Sequence, residues 1–143
     1  MKTASISGTE YYANEAPELL KRYESISFAD AHAPVLHLIP QAPCRVLDIG
    51  LGTGRDAAGR AALGHSVVAV EPTEELRRGA MLLHPSPMIE WLDDSLPRLT
   101  AVRAREEEMT WSCCRQCGCI STKSSAAWRC RTSRHWFVMA VSW

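Results

Sequence analysis

Apolar positions along the first hundred residues change their spacing in a regular order. From Pro17 onward, Leu19, Leu20, Tyr23 and Ile26 recur at intervals of three and four, which predicts a helix. A second short apolar stretch, Val35 to Ile39, follows Pro34, a residue suited to a first helical position, and Pro40 and Pro43 close a linker. Arg45 to Ile49 is a short apolar run of strand type that ends in glycines. Arg55 to Leu63 suits an Ala-rich helix stopped by Gly64. Ser66 to Val70 is a β-branched run of the kind buried on both faces of a parallel sheet. Thr73 to Leu83 reads as a helix with Glu74 and Glu75 in its first turn, where the helix dipole favours acids. Met88 to Leu92 predicts a third strand, and Leu96 to about Glu108 a third helix. This alternation predicts an α/β domain with a parallel sheet and right-handed crossovers.

The rhythm stops at Glu108, and composition changes at the same place. The chain has 143 residues and equal numbers of basic and acidic side chains, 16 each. All 16 acids and 11 of the bases precede Met109, so the first part carries −5 and the remainder +5. That remainder has no Asp or Glu but holds five of the six Cys and four of the five Trp. One fold rarely changes composition so sharply. The chain therefore divides into 1–44, an N-terminal helical extension or lid; 45–108, a cofactor-binding half-domain; and 109–143, an aberrant tail expected to be poorly structured. A zero total charge gives no nucleic-acid or membrane-surface signal. No apolar run is long enough to span a bilayer, and Met1 to Glu10 is polar with a single Lys, unlike a secretory leader. The expectation is a cytoplasmic protein with a small-molecule partner.

The candidate chemistry lies in the turn after the first strand, Asp48-Ile49-Gly50-Leu51-Gly52-Thr53-Gly54. Glycines there permit a tight turn with positive φ and let a ligand approach the backbone. The following helix start offers free N–H groups to an anionic ligand end. Gly52-x-Gly54-x-x-Ala57 also fits the dinucleotide pattern G-x-G-x-x-A. Glu71 ends the second strand, where a carboxylate could accept from both hydroxyls of a ribose. A nucleoside ligand is thus favoured, with nicotinamide and sulfonium cofactors both open at this point.

Val46 to Asp56 resembles the first motif of class I S-adenosylmethionine-dependent methyltransferases, which carry an acid two residues before the first glycine. Val67 to Pro72 resembles the family's second motif and Ile89 to Asp94 its third, so the likeness covers about Tyr11 to Glu108. It implies the Rossmann-like methyltransferase fold, here cut down to the β1–β3 half of the parallel sheet with N-terminal helices. It also implies S-adenosyl-L-methionine as cofactor. In the roles it implies, Gly50, Gly52 and Gly54 line the loop against the methionine and ribose. Asp48 sits beneath, ordering the loop and receiving the cofactor's amino group directly or through water. Glu71 holds the ribose diol, Pro72 packs on the adenine, and Asp93 accepts from the adenine amino group. Arg55 pairs with the cofactor carboxylate. The catalytic residues and the methyl acceptor are not specified.

Plainer readings stand beside these. Thr53-x-x-Asp56 is a capping-box pattern that would employ Asp56 at the helix start. Arg55 could simply be solvated, Pro72 could only shape its turn, and Asp94 reads as a helix cap. Cys44 reads as a small buried hydrophobe, and His32 and His37, five apart, do not make a metal pair. Tyr11, Tyr12 and Tyr23 read as packing residues, with a lid over the cofactor as the functional alternative.

The tail has two readings. Cys113, Cys114, Cys117 and Cys119, with Cys130 and His135, allow a noncatalytic zinc-binding module. The other reading is a frame change near Glu106 to Met109. Taken one nucleotide upstream, the codons force Asp at Met109-Thr110 and Leu at Cys113-Cys114. They likewise force Leu and Val around Trp136, and Gly at Met139-Ala140. That pattern resembles the family's fourth strand, next helix and the glycine turn before its fifth strand. On this reading β1 is left as an unpaired sheet edge, and the product is marginally stable or aggregating, binds cofactor weakly and transfers no methyl group. The alternatives in function are a nicotinamide-dependent oxidoreductase and the zinc-binding module.

Overall fold

A computed structural model describes residues 10–96 and 98–105, and the backbone alone of 111–114, 119–122, 127–132 and 135–140, as of Glu10 and Val35. Helix α1 spans Glu10–Glu24, a short α2 spans Phe28–His32, and a 3-10 turn follows over Ala33–Leu38. Then come β1 (Arg45–Ile49), α3 (Arg55–Ala62), β2 (Ser66–Val70), α4 (Glu74–Leu83), β3 (Ile89–Leu92) and α5 (Thr100–Arg103). Four further strands are β4 (Trp111–Cys114), β5 (Cys119–Thr122), β6 (Ala127–Thr132) and β7 (His135–Ala140).

The expected three-stranded parallel core is present. β2 lies at the centre, with Val46↔Val67 and Val67↔Ile89 as matched registers on its two sides. Alternate side chains feed two cores. Val46, Val67, Ala69 and Ile89 meet Ala57 of α3 and Ala80 of α4 on one face. Leu47, Ile49, Val68 and Val70 meet Leu99 and Val102 on the other. Both faces are covered, which is why the β2 run is apolar throughout.

Three expectations are corrected. α1 begins at Glu10 and carries Pro17 in its interior. Tyr12, Ala16, Leu19 and Tyr23 form one helical stripe that packs with Leu76 of α4, and this burial outweighs the backbone hydrogen bond that Pro17 removes. α5 starts four residues later than Leu96, because the Asp94 carboxylate takes the N–H groups of Thr100, Ala101 and Val102. Leu99 turns the chain into that start at φ 46. The expected end at Glu108 lies outside the described residues.

The third correction concerns the sheet edge. The order is β3-β2-β1-β4-β5, so β1 is not an edge. β4 pairs with it in parallel, Val46↔Trp111 to Ile49↔Cys114, and β5 pairs antiparallel with β4. Ladder pairing uses main-chain groups, so four residues suffice without an apolar alternation. β6 and β7 form a separate antiparallel pair. The zinc reading of the tail concerns side chains outside the described ones.

Close approach of helices depends on one glycine in α3. A Cβ built on Gly59 would stand 2.2 Å from Cγ of Phe28, a ring atom with little freedom to retreat. Gly59→Ala is expected to destabilise by about 1–3 kcal/mol through overpacking, despite alanine's better helix propensity. Urea unfolding checks this, and an unchanged or raised midpoint would contradict it.

Candidate functional site

The carboxyl ends of parallel strands are where open α/β sheets bind ligands. In this chain they carry the glycine loop after β1, the Glu71 turn after β2 and the Asp93-Asp94 pair after β3. The structure brings these three segments to one end of the sheet. Gly50 and Leu51 donate their N–H groups to the Val70 carbonyl at 2.9 and 3.2 Å, stitching the loop to the end of β2. Gly50, Gly52 and Gly54 have φ of 73, 61 and 80°, the left-handed region that the loop reading required.

Glu71 is buried beside this loop. Its Oε1 accepts from the Thr73 N–H at 2.9 Å, and the Gly52 N–H also reaches its carboxylate. Burial pushes its carboxyl above the ordinary value near 4.5, and the N–H groups of Thr73 and Gly52 and the charge of Arg77 offset this in part. Pro72 lies within the turn that Glu71 and Thr73 close. Asp93 is half exposed, and its Oδ2 accepts from Arg77 Nη2 at 3.1 Å.

Asp48, in β1 two residues before Gly50, is buried at 1% exposure. Its Oδ2 pairs at 3.1 Å with Nη1 of Arg60, also 1% exposed. An isolated carboxylate in such a place would be costly, and the guanidinium of α3 compensates it. Arg60 was not singled out from the sequence. Its position, twelve residues after Asp48 on an otherwise alanine-rich helix, was the available signal.

Arg55 is buried, not solvated, and its guanidinium is engaged within the protein. Its Nε and Nη2 hold Asp56 at 2.9 Å, and its Nη1 donates to the carbonyls of Tyr23 and Ile26, both at 3.0 Å. Asp56 also lies 2.9 Å from Nε2 of His32. The capping box does not form, since Gly54 occupies the cap position without a side-chain bond. Thr53 instead donates to Oε1 of Glu24 at 2.5 Å, and His84 Nε2 lies 3.0 Å from the same oxygen. Glu24, Thr53 and His84, joined across 29 and 60 residues, left no local signature.

Of the tyrosines, Tyr12 and Tyr23 pack on the α1–α4 cluster, and Tyr23 lies 3.8 Å from where a Cβ on Gly52 would stand. Cys44 packs against the core, where burial raises its thiol, and its backbone N–H donates to His65 Nδ1 at 3.2 Å. Among the described residues no cluster of His, Cys, Asp and Glu could hold a metal ion, and no helix is long and apolar enough to cross a membrane.

No protein-family profile and no curated protein matches the chain. Solved structures do. A TehB-like SAM-dependent methyltransferase of Corynebacterium glutamicum superposes with a TM-score of 0.50 at 18% identity, over 74% of this chain and 53% of that one. A Burkholderia thailandensis 1,6-didemethyltoxoflavin-N1-methyltransferase, solved with bound S-adenosylhomocysteine, matches at TM-score 0.38 and 21% identity, over 66% and 45% of the two chains. A protein of Anabaena variabilis, described as a methyltransferase from an antibiotic biosynthesis pathway, is 31% identical over 47% of this chain and 25% of its own, with TM-score 0.37. The chain thus spans a quarter to about half of these proteins. The likeness to the Corynebacterium protein shows a shared fold, the Rossmann-like α/β arrangement expected from the motifs.

Proposed function

We propose that the chain carries the cofactor half of an S-adenosylmethionine-dependent methyltransferase. The observation that carries this reading is the closure of the left-handed glycine loop onto a buried strand-end carboxylate, Gly52 N–H to Glu71. A loop with glycine at 50, 52 and 54 leaves its backbone open to a ligand at those positions, and an acceptor-only carboxylate beside it suits a diol with two donors. These residues fit an adenosine cofactor. Gly50, Gly52 and Gly54 would line it, Glu71 would hold its ribose, Pro72 would meet its base, and Asp93 would accept from its exocyclic amine. Asp48, neutralised by Arg60, would order the loop that follows it. Arg55 belongs to the support of that loop and not to the cofactor carboxylate.

When bound, S-adenosylmethionine would supply an electrophilic methyl group, its sulfonium sulfur leaving as the neutral thioether of S-adenosylhomocysteine. The residues named here do not react. They hold the donor in one orientation, and alignment is the larger part of such catalysis.

Calorimetric titration with S-adenosylhomocysteine and with NAD tests the reading. Binding of the first and not the second is expected, and the reverse would overturn it. Glu71→Gln should weaken S-adenosylhomocysteine by about 1.5–3 kcal/mol, the scale of hydrogen bonds to a charged group. The same variant should melt higher at neutral pH. The folded carboxyl titrates above its unfolded value, so the native state binds more protons between the two, and stability falls as pH rises through that window. Removing the charge recovers that loss at neutral pH and gains nothing below the ordinary value near 4.5. A variant that binds normally and melts lower would contradict both halves.

A further inference from the structure

One guanidinium bridges the ends of two neighbouring strands. Arg77, in the second turn of α4, donates through Nη1 to the backbone carbonyl of Glu71 at 2.5 Å and through Nη2 to Oδ2 of Asp93 at 3.1 Å. It thereby ties the turn after β2 to the residue after β3. The arginine side chain is 15% exposed and that of Asp93 is 54% exposed. An ion pair with one partner this open adds little to stability. What it does supply is direction, because a free surface carboxylate samples several rotamers and this one is held by a fork anchored in the backbone of the next strand. A planar guanidinium can serve both acceptors at once, whereas a lysine ammonium has one nitrogen.

We infer that Arg77 is a positioning residue that fixes Asp93 relative to Glu71 and so sets specificity for the 6-amino group of the cofactor's adenine. This rests on the cofactor reading above. Glu71 addresses the ribose and Asp93 the base, and the distance between them must match one nucleoside. Arg77 touches neither ligand part and acts through the two acids.

The test compares S-adenosylhomocysteine with its 6-oxo analogue by calorimetry. The 6-oxo compound lacks the donor that Asp93 would accept, so the 143-residue protein should prefer the amino form about tenfold, the low end for one hydrogen bond to a charged group. Arg77→Lys keeps the charge and loses the fork, and in it the preference should fall to near parity. Arg77→Met, which keeps the packed stem, reads the same ratio if the lysine variant fails to fold. In an Asp93→Ala background the preference should already be lost, and Arg77→Lys should change it no further, as expected for residues acting in one chain of contacts. Arg77→Lys with an unchanged ratio, or with both analogues weakened equally, would overturn the role of Arg77 alone. Failure of the unmutated protein to bind either analogue would overturn the cofactor reading and this inference with it.

Discussion

Gly52→Val is expected to abolish binding of S-adenosylhomocysteine while leaving a folded protein. At φ 61° a β-branched residue is strained by about 1–2 kcal/mol, a cost the domain must absorb. The new Cβ meets Tyr23 only at 3.8 Å, ordinary contact distance, so the protein side of the loop tolerates it. The remaining methyl groups project where a ligand must approach the backbone. Gly54→Val differs in a useful way. Its Cβ would stand 2.9 Å from Trp91 and 3.0 Å from Ala80, so the same substitution there presses into the core and should lower stability as well as binding. Calorimetry and thermal melts on both variants separate the effects. Retained binding in Gly52→Val would sink the loop assignment, and equal melting temperatures would contradict the packing difference.

Arg60→Met should have the largest effect on stability, about 3–5 kcal/mol, because it strands a buried carboxylate. Asp48 and Arg60 are each 1% exposed, and the guanidinium also lies 5.8 Å from the ring centre of Phe28. Adding Asp48→Asn to Arg60→Met should return part of the loss, since an amide needs no counter-charge. Urea unfolding measures both. A single-variant loss near zero, or no recovery in the double variant, would mean that the pair does not carry this strand end.

The parts of the fold that were legible in the sequence are those decided locally. The β-branched run Ser66–Val70 and the stop at Gly64, with φ 93°, came out as read. So did the positive φ of the three loop glycines, which no other residue type adopts as cheaply. What escaped depends on distant partners. Pro17 reads as a helix start until Leu76 is known to cover the stripe around it. Asp94 reads as a cap, but its reach of six to eight residues, which moves the start of α5, is a tertiary result. Arg55 shows the limit within the site itself. Its place after the glycines suits a ligand contact, yet long side chains go where acceptors are, and within the protein these are the Asp56 carboxylate and the Tyr23 and Ile26 carbonyls. The β1–β4 pairing escaped for the opposite reason, since it draws on backbone groups that every sequence has.

The hooks between residues 23–26 and the glycine loop have a kinetic consequence. Arg55 holds two carbonyls of that segment, and Thr53 and His84 share one oxygen of Glu24. Releasing any one of them leaves the others in place, so the end of α1 comes away from the loop as a unit or not at all. Glu24→Ala removes the oxygen that Thr53 and His84 share, so amide hydrogen exchange over residues 23–26 is expected to quicken, and unchanged exchange would contradict the tie. The opening of this end of α1 is thus set by bonds that reach from the glycine loop and from the end of α4, not by the helix's own ladder.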